Sequence, residues 1–290
     1  MKWEGKRSST NVTDARGKKV AQGIGLGAIL NIVGRLFGFR GILVLLGVGL
    51  IGWQLGFIDP VALMSGEGQV REVEYQPTPE EQRLYEFVTV ILALTEDVWS
   101  QEFNRLGAQY REPGLTIYRN QYPTACGVGD ARMGPFYCPL DQEIYIDLGF
   151  YDDLAGQFDA PGDFAQAYVI AHEVGHHVQK LLGISDEVAK MRGRPDYNQY
   201  SVRLELQADY LAGVWARHNQ KYLDRGDIEE ALRAANQIGD DAIQSRTQGR
   251  VTPHAFTHGT SEQRMRWFMR GYDSGRIEDG DTFEIPYEAL

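Results

Sequence analysis

Residues 41–58, GILVLLGVGLIGWQLGFI, are eighteen consecutive positions without a formal charge. Such a run must be hidden from water, and eighteen residues lie at the short end of what spans a bilayer. Arg35 and Arg40 precede it, while Trp53 and Phe57 fall near its far end, where aromatic rings suit a membrane interface. The expectation is one transmembrane helix over 41–58, with a buried core helix as the alternative. The run starts too far from the N-terminus for a cleaved leader, and no small-residue cleavage pattern follows it. Gly52 and Gly56 have the spacing of a helix-dimer face, which offers a homodimer through the membrane helix.

Charge divides the chain at the same place. Residues 1–40 hold eight Lys/Arg against only Glu4 and Asp14, although the whole chain carries −11. The excess of positive charge predicts that residues 1–40 stay cytoplasmic, with a linker over 59–77 and an exported body over 78–290. The protein is then expected in the inner membrane as a single-pass chain with its domain outside the cytoplasm. An acidic body argues against nucleic acid as a partner. The two cysteines, Cys126 and Cys138, bracket a glycine-rich stretch. Export favours a disulfide between them, with two unlinked thiols as the alternative.

The body reads as α+β. Thr78 caps a helix whose residues Leu84, Phe87, Val88, Ile91, Leu92 and Val98 recur at helical spacing up to Gly107. Extended pieces follow at 115–119, 134–138 and 143–148, the last alternating Ile144, Ile146 and Leu148 with Tyr145 and Asp147. They predict a small antiparallel sheet. GPFYC reads as its edge, where an extended peptide could add by backbone pairing. Helices are expected from an Asp163 cap to Gly183, over 201–223, over 227–244 and from Ser261 onward.

The chemistry lies in AHEVGHHVQ, residues 171–179. Positions four apart on a helix lie one above the other, so His172 and His176 project together and can share one Zn²⁺. Glu173 stands beside the open face of such an ion, where it can take a proton from the attacking water. His177 points about 100° away from His176 and is expected in a surface or hydrogen-bonding role. A catalytic zinc needs a third protein ligand. Glu205 in ELQAD supplies one, and Asp209 can orient a ligating imidazole. Both sit among Leu204, Ala208, Leu211 and Trp215, unlike a solvated acidic face. Glu187 competes for the third position, but its neighbours look exposed.

HEVGH followed by ELQAD resembles the gluzincin arrangement of zinc peptidases. MKWEGKRSSTNV, TACG, GPFYCP and YIDLGF extend the likeness to the bacterial membrane-anchored neutral zinc metallopeptidases. The resemblance implies a zincin-like domain, one Zn²⁺ per chain and hydrolysis of a peptide or protein substrate. His258 and Arg264 resemble the H-x5-R segment of membrane-associated gluzincins, where such residues steady the oxyanion; His254 is a rival. A non-catalytic zinc-containing peptide-binding or assembly module and a zinc amidase acting on cell-wall peptide are the alternatives.

Overall fold

The computed structural model describes residues 1–20, 35, 70–72, 74–252 and 255–290. The apolar run 41–58 lies outside the described residues, as does His254. No helix among the described residues is long and apolar enough to cross a membrane.

Eight strands and eight α-helices are described. Strands β1 (Val12–Asp14), β2 (Lys18–Val20) and β3 (Val70–Glu72) precede helix α1 (Pro79–Arg105). Strands β4 (Gly114–Tyr118), β5 (Gln121–Thr124), β6 (Gly127–Asp130), β7 (Phe136–Cys138) and β8 (Glu143–Asp147) follow. The remainder is helical: α2 (Gly149–Gly156), α3 (Asp163–Leu181), α4 (Ile184–Ala189), α5 (Tyr197–His218), α6 (Asp227–Gln237), α7 (Asp240–Gln248) and α8 (Ser261–Ser274).

Helix α1 begins as its sequence predicts. Thr78 accepts from the Glu81 amide while the Glu81 side chain accepts from the Thr78 amide, satisfying two otherwise orphaned donors. The four-stranded sheet, however, runs β1-β4-β8-β7 and is not antiparallel as expected. β1, β4 and β8 are mutually parallel, and only β7 opposes its neighbour. The physical reason is burial on both faces. Ile144, Tyr145, Ile146 and Asp147 of β8 are all buried, so the polar and apolar positions do not divide between solvent and core. β7 does lie at the sheet edge. The Cys126–Cys138 disulfide ties the β5–β6 hairpin to it.

The separation of a basic head from the body is also corrected. Residues 1–20 are built into the domain, with β1 forming the flank of the sheet in register Val12↔Leu115. Trp3 packs edge-on to Phe87. Arg7 donates to Glu96 and Asp97 of α1 at 2.8 Å each, and to the Ala93 carbonyl. The buried Arg16 side chain donates to Asp14 and to the Glu81 carbonyl. Arg7 of the basic head thus pairs directly with acids of the body, which composition alone does not reveal. Asp163, expected to cap α3, instead accepts from the Met1 ammonium at 2.7 Å, and Gly162 holds the cap position. Asp163, Asp227 and Glu230 have carboxylates near enough to share a cation, and Met1 occupies that neighbourhood.

The helix expected over 227–244 is two helices, broken at Ile238 and Gly239. A Cβ on Gly239 would stand 2.5 Å from the Ser261 amide, so the chain turns there to admit the start of α8. Helices α5 and α8 meet with even less room. A Cβ on Gly271 would fall 1.9 Å from the Tyr210 carbonyl oxygen, and one on Gly213 would fall 2.0 Å from that of Phe268. This contact carries α8 against α5, and with it Arg264 against Asp209. A continuous core fills the space between α1, the sheet and helices α3, α5 and α8.

Candidate metal centre

α3 is buried along most of its length, so the imidazoles and carboxylates it carries need partners. α5 provides them. His172 Nε2 lies 3.2 Å from Glu205 Oε2, and His176 Nε2 lies 3.5 Å from Glu205 Oε1. One atom from each of the three residues falls within 4.8 Å of the others. Zinc bonds of about 2.0–2.1 Å at tetrahedral angles put neighbouring ligand atoms about 3.3 Å apart. Two nitrogens and a carboxylate at these spacings fit that ion. Glu187 is not among them; it is exposed and pairs with Lys190.

Each histidine is fixed from behind. His172 Nδ1 donates to Asp209 Oδ1 at 2.8 Å, leaving Nε2 for the shared point. Asp209 is fully buried and also accepts from Tyr168 Oη at 2.5 Å and from Arg264 Nε at 2.9 Å. Burial pushes the Asp209 carboxyl up, but Arg264 and His172 outweigh it and hold the pKa at about 2. His176 Nδ1 donates to Gln179 Oε1 at 2.9 Å. Gln179 is itself oriented, because its amide group donates to the Leu204 carbonyl at 2.7 Å and to Gln207 Oε1 at 3.1 Å. Sequence reading passed over Gln179, although its i,i+3 spacing from His176 was visible.

Glu173 is buried at the same mouth. Burial raises its pKa, and His172 and His176 pull it back. His177 is fully buried one turn beyond Glu173 on α3 and bridges two elements. Its Nε2 donates to the Arg111 carbonyl at 2.6 Å while Nδ1 accepts from Tyr137 Oη at 3.0 Å. This clamps β7 to α3 beside Glu173.

His258 and Arg264 part company. Arg264 is buried and donates to Asp209, Tyr168 and the Ile238 carbonyl, so its guanidinium is held against Asp209. His258 is exposed, and its Nδ1 faces Thr257 Oγ1 at 2.9 Å and Asp240 Oδ1 at 3.3 Å. Asp240 Oδ2 also accepts the backbone amides of Thr257, His258 and Gly259. The loop therefore wraps around one carboxylate at the start of α7. The Glu205 carboxylate raises the His258 pKa, and Asp240 adds to the rise. Asp240 was missed because its place depends on the helix break at Gly239.

His172, Glu173, His176, Glu205, His258 and Arg264 line a cavity of about 700 Å³, whose walls also include Phe136, Tyr137, Phe158 and Ile243. The edge strand β7 thus flanks the three candidate ligands.

The sequence pattern of the family described as "Putative neutral zinc metallopeptidase" matches residues 1–283. The chain is 47% identical to "Uncharacterized protein YpfJ" of Escherichia coli K12, over 98% of this chain and 99% of that one. It is 41% identical to "Uncharacterized protein Mb2605" of Mycobacterium bovis, over 60% of this chain and 63% of the relative. No solved structure matches it.

Proposed function

The chain belongs to the neutral zinc metallopeptidase family, and from that membership we propose a gluzincin-like zinc endopeptidase whose ion is held by His172, His176 and Glu205. The observation carrying this reading is the convergence of those three side chains on one point, with Asp209 and Gln179 fixing the two imidazoles from behind. Three protein ligands and a side facing a cavity suit catalysis better than a closed structural site. When bound, zinc supplies Lewis-acid polarisation of a carbonyl and lowers the pKa of water.

The remaining work falls to the chain. Glu173 takes the proton of the attacking water and returns it to the leaving amine nitrogen. Its burial lifts its pKa, which suits a carboxylate that must both accept and release a proton. His258, held through Nδ1, presents Nε2 as a donor to the oxygen on which negative charge develops. An extended substrate lies along β7 by backbone pairing, with the apolar wall of Phe136, Phe158 and Ile243 receiving its side chains.

The test is metal content and cleavage of a peptide library by the full chain and by Glu173→Gln. Both are expected to bind zinc, one ion per chain, while the variant loses about 10²–10⁴-fold in turnover. A chain that binds no zinc, or a variant as active as the parent, overturns the reading.

A further inference from the structure

His177 has no part in the candidate metal centre, yet it is fully buried. A neutral imidazole offers one donor and one acceptor at fixed positions. The Arg111 carbonyl, 2.6 Å from Nε2, can only accept, so Nε2 carries the hydrogen. Nδ1 is then the acceptor, and the Tyr137 hydroxyl at 3.0 Å must donate to it. Both nitrogens are committed, which leaves no lone pair for a metal. The ring is also enclosed, with Tyr110 and Tyr137 edge-on to it at centroid distances of 5.8 and 5.5 Å.

Tyr137 is the middle residue of the three-residue edge strand β7, opposite Ile144 of β8. Alternation along the strand sends its neighbours elsewhere. Phe136 stacks on Tyr145 at 5.2 Å, and Cys138 is closed into the disulfide. Tyr137 thereby ties β7 to α3. Its main-chain N–H faces the Glu173 carboxylate, and Glu173 lies one helical turn before His177. The hydroxyl contact with His177 thus fixes where the open edge of β7 stands relative to Glu173 and the three candidate ligands.

We propose that His177 is a positioning residue for substrate: through Tyr137 it holds the edge of β7 where an extended peptide pairs with it beside Glu173. This role rests on the peptidase reading, with β7 as the strand that receives the substrate. Backbone pairing along β7 is the same before and during the reaction. Its loss weakens binding uniformly, raising KM and sparing kcat.

The test compares the full zinc-loaded chain with Tyr137→Phe, His177→Phe and His177→Gln, using dye-labelled unfolded casein as the probe. Turnover gives kcat and KM, and anisotropy in a Glu173→Gln background gives Kd without cleavage. Tyr137→Phe removes a single oxygen and is the variant expected to fold as the parent does. It and His177→Phe should raise KM and Kd about tenfold, with kcat within about twofold and zinc content unchanged. His177→Gln keeps a donor and an acceptor and should recover part of the binding. Unchanged KM and Kd in Tyr137→Phe and His177→Phe overturn the positioning role, as does a fall in kcat at constant KM. A probe that the Glu173→Gln chain binds but the parent never cleaves overturns the peptidase reading alone, and the Kd values still decide the role of His177. A probe that is neither bound nor cleaved overturns both.

Discussion

Gly175, inside the HEVGH segment, sits so close to Ala208 that a Cβ there would stand 3.0 Å from the Ala208 carbonyl oxygen and 3.2 Å from its Cα. Ala208 lies between Glu205 and Asp209 on α5, so this one contact sets how far the two histidines stand from both carboxylates. Gly175→Val is expected to push the helices apart and cost about 1–3 kcal/mol of stability, as overpacking does. Metal affinity should fall with it. Thermal denaturation and zinc titration against a chelator check both.

Gln179 should behave as an extension of the metal centre. Gln179→Leu removes the acceptor for His176 Nδ1 while keeping most of the side-chain volume. A loss of about 10–100-fold in zinc affinity is expected, with the peptide-cleavage rate recovering at saturating zinc. Chelator competition followed by activity at high zinc separates these. Unchanged affinity would confine Gln179 to packing.

Asp240→Asn tests the His258 assignment through pH. Asp240 raises the His258 pKa, so removing its charge lowers that pKa and deprotonates the imidazole at lower pH. The alkaline limb of the kcat/KM profile should therefore move to lower pH. His258→Ala should lose about 10²–10³-fold in kcat, in the range of other oxyanion donors. Adding Asp240→Asn to it should then change little, a non-additivity that a merely structural Asp240 would not produce.

Removal of metal should be felt throughout the domain. A ligand present at 1,000 times its Kd stabilises by about 4 kcal/mol, and His172, His176 and Glu205 join helices α3 and α5. Chelator is expected to lower Tm, and zinc to restore it. Glu205→Ala should show one low Tm under both conditions, read by calorimetry.

Gly271→Val should be the most damaging change remote from the cavity, since its Cβ would overlap the Tyr210 carbonyl oxygen. A loss of at least about 3 kcal/mol is expected, because the clash is with backbone. Activity per folded molecule should fall too, as α8 carries Arg264 onto Asp209.

What sequence made legible was the grouping of candidate ligands carried by short spacings. His172, Glu173 and His176 follow from helical periodicity, and Glu205 with Asp209 from acids set among apolar neighbours. What it hid required distant segments to meet. The parallel sheet depends on Val12 finding Leu115, and the partners of Arg7 and Arg16 are defined by packing against α1. Arg264 lies at a spacing that suggested an oxyanion donor, yet Asp209 claims its guanidinium from another helix. His177 was expected on the surface or in a hydrogen bond, and burial between Arg111 and Tyr137 selects the second.

The pairing of β1 with β4 has a cost in time. Val12 has no partner until synthesis has passed Leu115, and β4 is not flanked on its other side until β8 arrives. Lengthening a loop adds little to its closure entropy, but contacts this remote slow the search for the native pairing. The arm must be held in reserve while a hundred or so later positions emerge. The sheet that carries β7, and with it one wall of the cleft, is therefore completed late, and a fragment begun after β1 would start life with an open flank along β4.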